Sequence, residues 1–204
     1  MSSALNLPNQ ITLARLVLAI VFFALLSQYS QVDPNATMLD VAAVIFIIAA
    51  ATDILDGYLA RKWGQVTALG RVMDPLVDKV LVCGAFILFI GPGFVDADGR
   101  NVTEVRAWMV VLMVGRELLV TGLRGFNESV GKSFGASVSG KLKMWMQSIA
   151  APAILLIIAH PDILGSASAT IKQILVWLTV IATALSMVSY LIRSRHILEE
   201  SAPA

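Results

Sequence analysis

Six long apolar runs divide the sequence, and they limit what this chain can fold into more than any other feature. The runs cover residues 10–28, 38–60, 72–91, 105–125, 142–160 and 170–193. Each is close to the 20 or so residues that an α-helix needs to cross a bilayer. Of the 204 residues, 57% are hydrophobic and 14% are charged, which is typical of an integral membrane protein. We therefore predict an all-α membrane bundle of six transmembrane helices, a single domain over residues 1–204 with a short N-terminal amphipathic lead-in at residues 1–9.

The basic residues are divided unevenly between the two sides that six spans create. Arg100, Arg106 and Lys172 fall on one side, and the other twelve of the 15 Lys and Arg residues fall on the opposite side. Since loops rich in Lys and Arg stay in the cytoplasm, both termini and the loop around Trp63 are expected there. We expect an integral protein of the bacterial inner membrane, and we expect no nucleic-acid partner.

Four carboxylates lie between the second and third runs. Asp53 and Asp56 are three residues apart, and Asp74 and Asp78 are four apart, so each pair lies on one face of a helix. An antiparallel hairpin brings the four together at the membrane border, where like charges repel unless a cation joins them. Carboxylate oxygens favour Mg²⁺ or Mn²⁺ over Zn²⁺. An alternative, in which the aspartates only cap helices, suits Asp74 before Pro75 but does not explain Asp53 and Asp56.

The hairpin has a spacing that can be compared with known families. It reads D-x2-D-G-x2-A-R-x8-G-x3-D-x3-D from Asp53 to Asp78, and it resembles the signature of the CDP-alcohol phosphatidyltransferase family without a departure. The resemblance implies a two-metal site, a homodimer and a cytoplasm-facing cavity. It implies metal ligation by Asp53, Asp56, Asp74 and Asp78, with Asp78 also the catalytic general base. It implies CDP contacts at Asp53, Gly57, Ala60, Arg61, Gly70 and Asp74.

A second set of charges lies in and after the fourth run. Arg116 and Arg124 are eight residues apart, which places them near one helix face, and Lys141 and Lys143 begin the fifth run. Buried guanidinium groups need a polar cavity or a partner, and two on one face suit a doubly charged phosphate. These four residues are therefore predicted to bind the phosphate of an acceptor. The alternatives are an ion pair with Glu117 and ordinary positive-inside anchoring by the lysines.

The pattern R-E-x6-R followed by G-K-x-K resembles the phosphatidylglycerophosphate synthase branch of the same family. Met144 stands where that branch commonly has Thr. The resemblance implies CDP-diacylglycerol and glycerol 3-phosphate as substrates, with membrane lipids around the chain. One alternative keeps the chemistry but uses inositol phosphate, serine or, as a cardiolipin synthase does, phosphatidylglycerol as the acceptor. Another is a small membrane transporter, which would predict broken helices or paired repeats.

Reporter fusions test the predicted topology. A reporter fused after Ala204 and one inserted near Trp63 are expected on the cytoplasmic side, and one near Gly99 on the other side. A fluorescent reporter that matures only in the cytoplasm and a phosphatase active only outside it distinguish the two locations. Finding positions 63 and 99 on the same side would contradict the six-span prediction.

Overall fold

The structure, a computed structural model, describes the backbone of residues 7–62, 68–129 and 138–201 and the side chains of residues 9–52, 73, 75–129 and 138–195. Within these ranges it consists of helices joined by short segments. The six long helices are α1 (Leu7–Gln28), α2 (Ala36–Lys62), α3 (Ala68–Phe89), α4 (Ala107–Ser129), α5 (Val138–Ala159) and α7 (Ser168–Ser201). The short helix α6 (Pro161–Leu164) precedes α7. The lead-in predicted at residues 1–9 lies mostly outside the described residues.

Each predicted run is helical over most of its length. The sixth long helix, α7, extends furthest beyond its predicted run, to Ser201, and the third begins before its own. Helix α3 begins at Ala68, so Gly70 lies in its first turn and Pro75 lies inside it. The alternative in which a helix starts between Asp74 and Pro75 is therefore wrong. Pro75 is tolerated because it lies near the N-terminal end of α3, two turns after the helix begins, and lines a cavity.

Three helical segments of the described chain are long and apolar enough to cross a membrane. They are Asn9–Gln28, Val138–Ala159 and Pro161–Arg195, and Ala36–Thr52 is a shorter apolar helix. Helix α4 does not qualify by composition because it contains Arg116, Glu117 and Arg124. The structure thus shows an apolar helical bundle. The charged residues of α4 are explained by the way this helix packs against its neighbours.

The six long helices pack in a closed ring in the order α1, α2, α5, α7, α4, α3 and back to α1. This order brings α3, α4, α5 and α7 around one end of the interior. The opposite end is filled by apolar side chains, including Phe22, Phe46 and Phe86, which are fully buried. The rings of Phe22 and Phe46 lie 5.5 Å apart and join α1 to α2.

Helix α2 buries several alanines together with Leu39 and Phe46, and it leaves other large apolar residues outside. Ala42, Ala43 and Ala49 are fully buried, whereas Val44 and Ile47 are about half exposed. Small residues let neighbouring helices approach closely, which is how helices associate in lipid, where burial of large apolar groups gives no advantage over contact with acyl chains. This pattern is expected of a helix whose outer face contacts lipid.

The segment between α3 and α4 is ordered by side chains that bind backbone carbonyls. The Asn101 amide and the Thr103 hydroxyl donate to the carbonyl of Phe89, over 2.7 and 3.1 Å, at the end of α3. The Lys172 amine, on α7, donates to the carbonyl of Val102. The first two bonds satisfy a carbonyl that the end of α3 leaves unpaired, and the third ties the segment to α7.

Two glycine substitutions, one in the segment between α3 and α4 and one control in α4, test the packing of that segment. A Cβ added at Gly93 would lie 2.4 Å from the carbonyl oxygen of Tyr29, a backbone atom that cannot rotate away, so Gly93→Ala is expected to destabilise the protein by about 1–3 kcal/mol. A Cβ at Gly122, in α4, would meet nothing within 4 Å. Gly122→Ala is therefore the matched control, expected to be neutral or to stabilise by up to about 1 kcal/mol. Thermal unfolding in detergent measures both, and equal melting temperatures would contradict the packing described.

Candidate active site

The backbone of the hairpin carries the predicted residues on two neighbouring helices. Helix α2 contains Asp53, Asp56, Gly57, Ala60 and Arg61, and helix α3 contains Gly70, Asp74 and Asp78. Of these, only the side chain of Asp78 is among those that the structure describes. The metal and CDP contacts at the other seven residues stay predictions. Among the described side chains there is no group of three or more metal-binding residues.

Asp78 lies in the wall of a polar cavity of 430 Å³ between α3, α4, α5 and α7. Its lining is Pro75, Asp78, Lys79, Arg116, Glu117, Val120, Thr121, Arg124, Gly125, Glu128, Gly140, Lys141, Lys143, Met144 and Tyr190. All four residues predicted to bind an acceptor phosphate are therefore in the same cavity as the predicted base. They come from two helices that are separated in sequence by the segment from residue 130 to 137.

Glu117 connects two of these four cations. Its Oε1 atom accepts hydrogen bonds from Arg116 Nη1, over 2.8 Å, and from Lys143 Nζ, over 2.6 Å. All three side chains are buried. A buried carboxylate needs such partners, because leaving it unpaired in an apolar bundle costs several kcal/mol. The predicted alternative of an ion pair with Glu117 therefore holds for Arg116 and Lys143.

Arg124 and Lys141 have different surroundings. The Arg124 Nη2 group donates to the hydroxyl of Tyr190, on α7, and no ion pair of Arg124 is found among the described residues. Its Nε atom is buried and has no hydrogen-bond partner in the part of the chain that is described. Lys141 is exposed and lines the cavity. These two residues have charge to offer to a ligand, whereas Arg116 and Lys143 already share a carboxylate.

The structure adds residues that the sequence analysis did not assign to the site. Lys79 lines the cavity next to Asp78, and its amine donates to the hydroxyl of Thr121 on α4. Tyr190 is fully buried beside both arginines. A signal for Tyr190 exists in the sequence, since Thr179, Thr183, Ser186, Tyr190 and Ser194 follow one another at steps of three or four along an apolar helix. That spacing indicates a polar stripe turned inward.

An apolar groove of 430 Å³ between α2 and α5 meets the polar cavity. Its lining is Ile47, Ala50, Ala51, Asp78, Met144, Trp145, Ser148, Ile149, Pro152, Ala153 and Leu156. Asp78 and Met144 belong to both linings. The carboxylate thus lies where a polar space and an apolar space join.

Comparison with known proteins decides the family. The family model for CDP-alcohol phosphatidyltransferase matches residues 5–185, which is most of the chain. The chain belongs to the CDP-alcohol phosphatidyltransferase family. It is accordingly a transferase, and the alternative of a small transporter is set aside.

Several curated relatives in this family are named CDP-diacylglycerol–glycerol-3-phosphate 3-phosphatidyltransferase. One from Bacillus subtilis is 34% identical over 203 residues, covering 96% of this chain and 98% of the relative. One from Rickettsia bellii is 33% identical over 190 residues, covering 91% of this chain and 93% of the relative. One from Sodalis glossinidius is 32% identical over 202 residues, covering 96% of this chain and 98% of the relative. The similarity to phosphatidyltransferases thus extends over almost the whole chain and includes the helices that form the polar cavity.

The two lysines of α5 provide a test of the described contacts in this phosphatidyltransferase. Lys143→Ala removes one of the two partners of the buried Glu117 carboxylate and is expected to destabilise the protein by about 1–3 kcal/mol. Lys141→Ala changes an exposed side chain and is expected to alter stability by less than about 0.5 kcal/mol. Thermal unfolding in detergent compares them, and in a Glu117→Gln background the effect of Lys143→Ala should shrink. Equal destabilisation by the two substitutions would be inconsistent with the ion pair.

Proposed function

We propose that this chain transfers the phosphatidyl group of CDP-diacylglycerol to glycerol 3-phosphate, giving phosphatidylglycerol phosphate and CMP. The observation that carries the proposal is the polar cavity in which Asp78 lies together with Arg124 and Lys141. The names of the relatives from three bacteria support the same reaction.

The charge of the cavity supports a phosphate-bearing acceptor. Five cationic and three anionic side chains line it, an excess of about two positive charges. A phosphate monoester carries about −1.5 to −2 at neutral pH, so the acceptor and the cavity complement each other. Arg124 and Lys141 bind the phosphate in this proposal, and Arg116 and Lys143 add to the positive potential while remaining paired with Glu117. A zwitterionic acceptor such as serine would leave the excess charge unanswered.

The position of Asp78 supports its role as the general base. The sn-1 hydroxyl of glycerol 3-phosphate attacks the β-phosphorus of CDP-diacylglycerol, and the bond from that phosphorus to the CMP oxygen breaks. Asp78 takes the proton of the attacking hydroxyl. Because Asp78 also lines the apolar groove between α2 and α5, a lipid in that groove and a soluble acceptor in the cavity both reach it.

A pair of Mg²⁺ or Mn²⁺ ions belongs to the proposal. The hairpin offers only carboxylate oxygens, a donor set that fits these hard divalent cations. Asp53, Asp56, Asp74 and Asp78 would hold the ions. When bound, the ions supply positive charge that neutralises the pyrophosphate and the attacked phosphorus.

The remaining hairpin residues are proposed to contact CDP. Glycine or alanine at positions 57, 60 and 70 lets the nucleotide and its pyrophosphate approach the helix backbone. The proposed contacts are Asp53, Gly57, Ala60, Arg61, Gly70 and Asp74.

We also propose six spans, with the polar cavity facing the cytoplasm of a bacterial cell. The excess of Lys and Arg on the side of the cavity supports the cytoplasmic orientation, and the tryptophans support a bundle that spans the membrane, since they favour its two interfaces. Trp108, at the start of α4, contacts Trp177 with ring centroids 5.9 Å apart and ring planes tilted by 55°, and both are partly exposed. Trp145, at the start of α5, is exposed at the opposite end. The homodimer implied by the family resemblance stays a prediction.

An acceptor panel tests the proposed function. Purified protein is supplied with CDP-diacylglycerol, Mg²⁺ and labelled glycerol 3-phosphate, inositol phosphate, serine or phosphatidylglycerol, and the lipid products are separated. Glycerol 3-phosphate is expected to be the preferred acceptor, and a chelator is expected to stop the reaction until Mg²⁺ or Mn²⁺ is restored. Preference for another acceptor would show that the product is not phosphatidylglycerol phosphate, although the reaction would still be a phosphatidyl transfer.

Two substitutions accompany the panel. Arg124→Ala removes a charge-assisted contact of about 1.5–3 kcal/mol, so the KM for glycerol 3-phosphate should rise roughly tenfold to hundredfold while that for CDP-diacylglycerol changes little. Asp78→Asn should leave binding of CDP-diacylglycerol largely intact and stop turnover, as expected for a lost base. Near-normal turnover by Asp78→Asn across the pH range would show that the base is another group.

A further inference from the structure

Tyr190 is in contact with both arginines of the cavity. The guanidinium carbons of Arg116 and Arg124 lie 5.4 Å and 5.3 Å from the centre of its ring. Both distances are within the range of cation–π attraction, in which the negative face of an aromatic ring stabilises a cation. The ring is fully buried, and its hydroxyl accepts a hydrogen bond from Arg124 Nη2.

Helix α7 therefore holds α4 at two points one turn apart. Ser186 accepts a hydrogen bond from Arg116 Nη2, and Tyr190, four residues later, contacts Arg116 and Arg124 together. The Nε atoms of both arginines are buried and have no hydrogen-bond partner among the described residues. Buried donors without partners are costly and are normally met by a ligand or by water.

The two guanidinium groups contact the same ring and repel each other, and the ion pair with Glu117 offsets the charge of Arg116 alone. In a region of low dielectric constant this repulsion favours turning one side chain away, and the long Arg side chain allows it. An aromatic ring in contact with both groups offsets that repulsion by attracting each cation, and it adds no negative charge that would compete with an anionic ligand. Glu117 is no substitute, because its carboxylate is already bound to Arg116 and Lys143.

We propose that Tyr190 is a positioning residue that keeps Arg116 and Arg124 in place in the cavity wall, so that Arg124 is oriented to bind the phosphate of the acceptor and Arg116 adds its positive potential beside it. The inference deepens the proposed function and rests on it for the identity of the ligand. Its ring acts on both arginines, and its hydroxyl fixes the orientation of Arg124 alone.

Two substitutions separate these contributions. Tyr190→Phe keeps the ring and removes the hydroxyl, and the KM for glycerol 3-phosphate is expected to rise about threefold. Tyr190→Leu removes the ring as well, and a rise of roughly tenfold or more is expected. The KM for CDP-diacylglycerol and the kcat should change by less than about twofold in both variants, because Tyr190 does not line the apolar groove. Tyr29→Phe is the matched control, since Tyr29 is also buried and its hydroxyl donates to Gln31 over 2.7 Å at the opposite end of the bundle.

A binding measurement without turnover completes the test. Inorganic phosphate should raise the melting temperature of the wild-type protein and of Tyr29→Phe, and it should raise that of Tyr190→Leu only at concentrations roughly tenfold higher. An unchanged KM and unchanged phosphate protection in Tyr190→Leu would overturn the inference, and so would equal increases in the KM of both substrates. If Tyr190→Leu does not fold, Tyr190→Phe alone decides through its KM and phosphate protection. A wild-type protein that binds phosphate but does not use glycerol 3-phosphate would refute the proposed function and not the role of Tyr190.

Discussion

Charged side chains are buried in an apolar bundle only when each is met by an opposite charge or by hydrogen bonds. In this chain the Glu117 carboxylate meets that requirement for Arg116 and Lys143 at once, and it joins α4 to α5 in doing so. The polar cavity depends on this contact, because without it two cations would be buried beside each other with no counter-charge. Tyr190 and Ser186 then attach α7 to the same arginines, so the closed ring of helices is held at its polar end by one connected network.

The apolar runs predict the six long helices because a helix in lipid must satisfy its own backbone, and few other structures can. The cations of the cavity were also predictable, since eight residues in a helix return Arg124 close to the face of Arg116. The charged residues within α4 were expected to face a polar space for energetic reasons, and they do line the cavity. The sequence pattern and the tertiary structure agree here because both follow from the cost of exposing polar groups to lipid.

The ion pairs that Glu117 forms in the cavity were less predictable from the sequence. Spacing places Arg116 and Arg124 near one face of α4, but it does not decide which cations Glu117 binds, because the contact with Lys143 depends on how α5 packs beside α4. Tyr190 was missed because its partners lie 66 and 74 positions away in sequence on another helix. The third run was predicted to begin at residue 72, one turn after the start of α3 at Ala68, because Gly70 and Arg71 interrupt the apolar pattern there.

The polar cavity and the apolar groove share Asp78 and Met144. The reaction rate should therefore depend in different ways on the amounts of the lipid substrate and of the soluble acceptor. A lipid that arrives through the groove is diluted only by other lipids, so its effective concentration is its mole fraction in the bilayer. An acceptor that arrives through the cavity is diluted by water, so its effective concentration is the ordinary bulk value. Adding inert lipid would therefore lower the effective concentration of the lipid substrate and leave that of the soluble acceptor unchanged. A cell could adjust the supply of each substrate independently of the other.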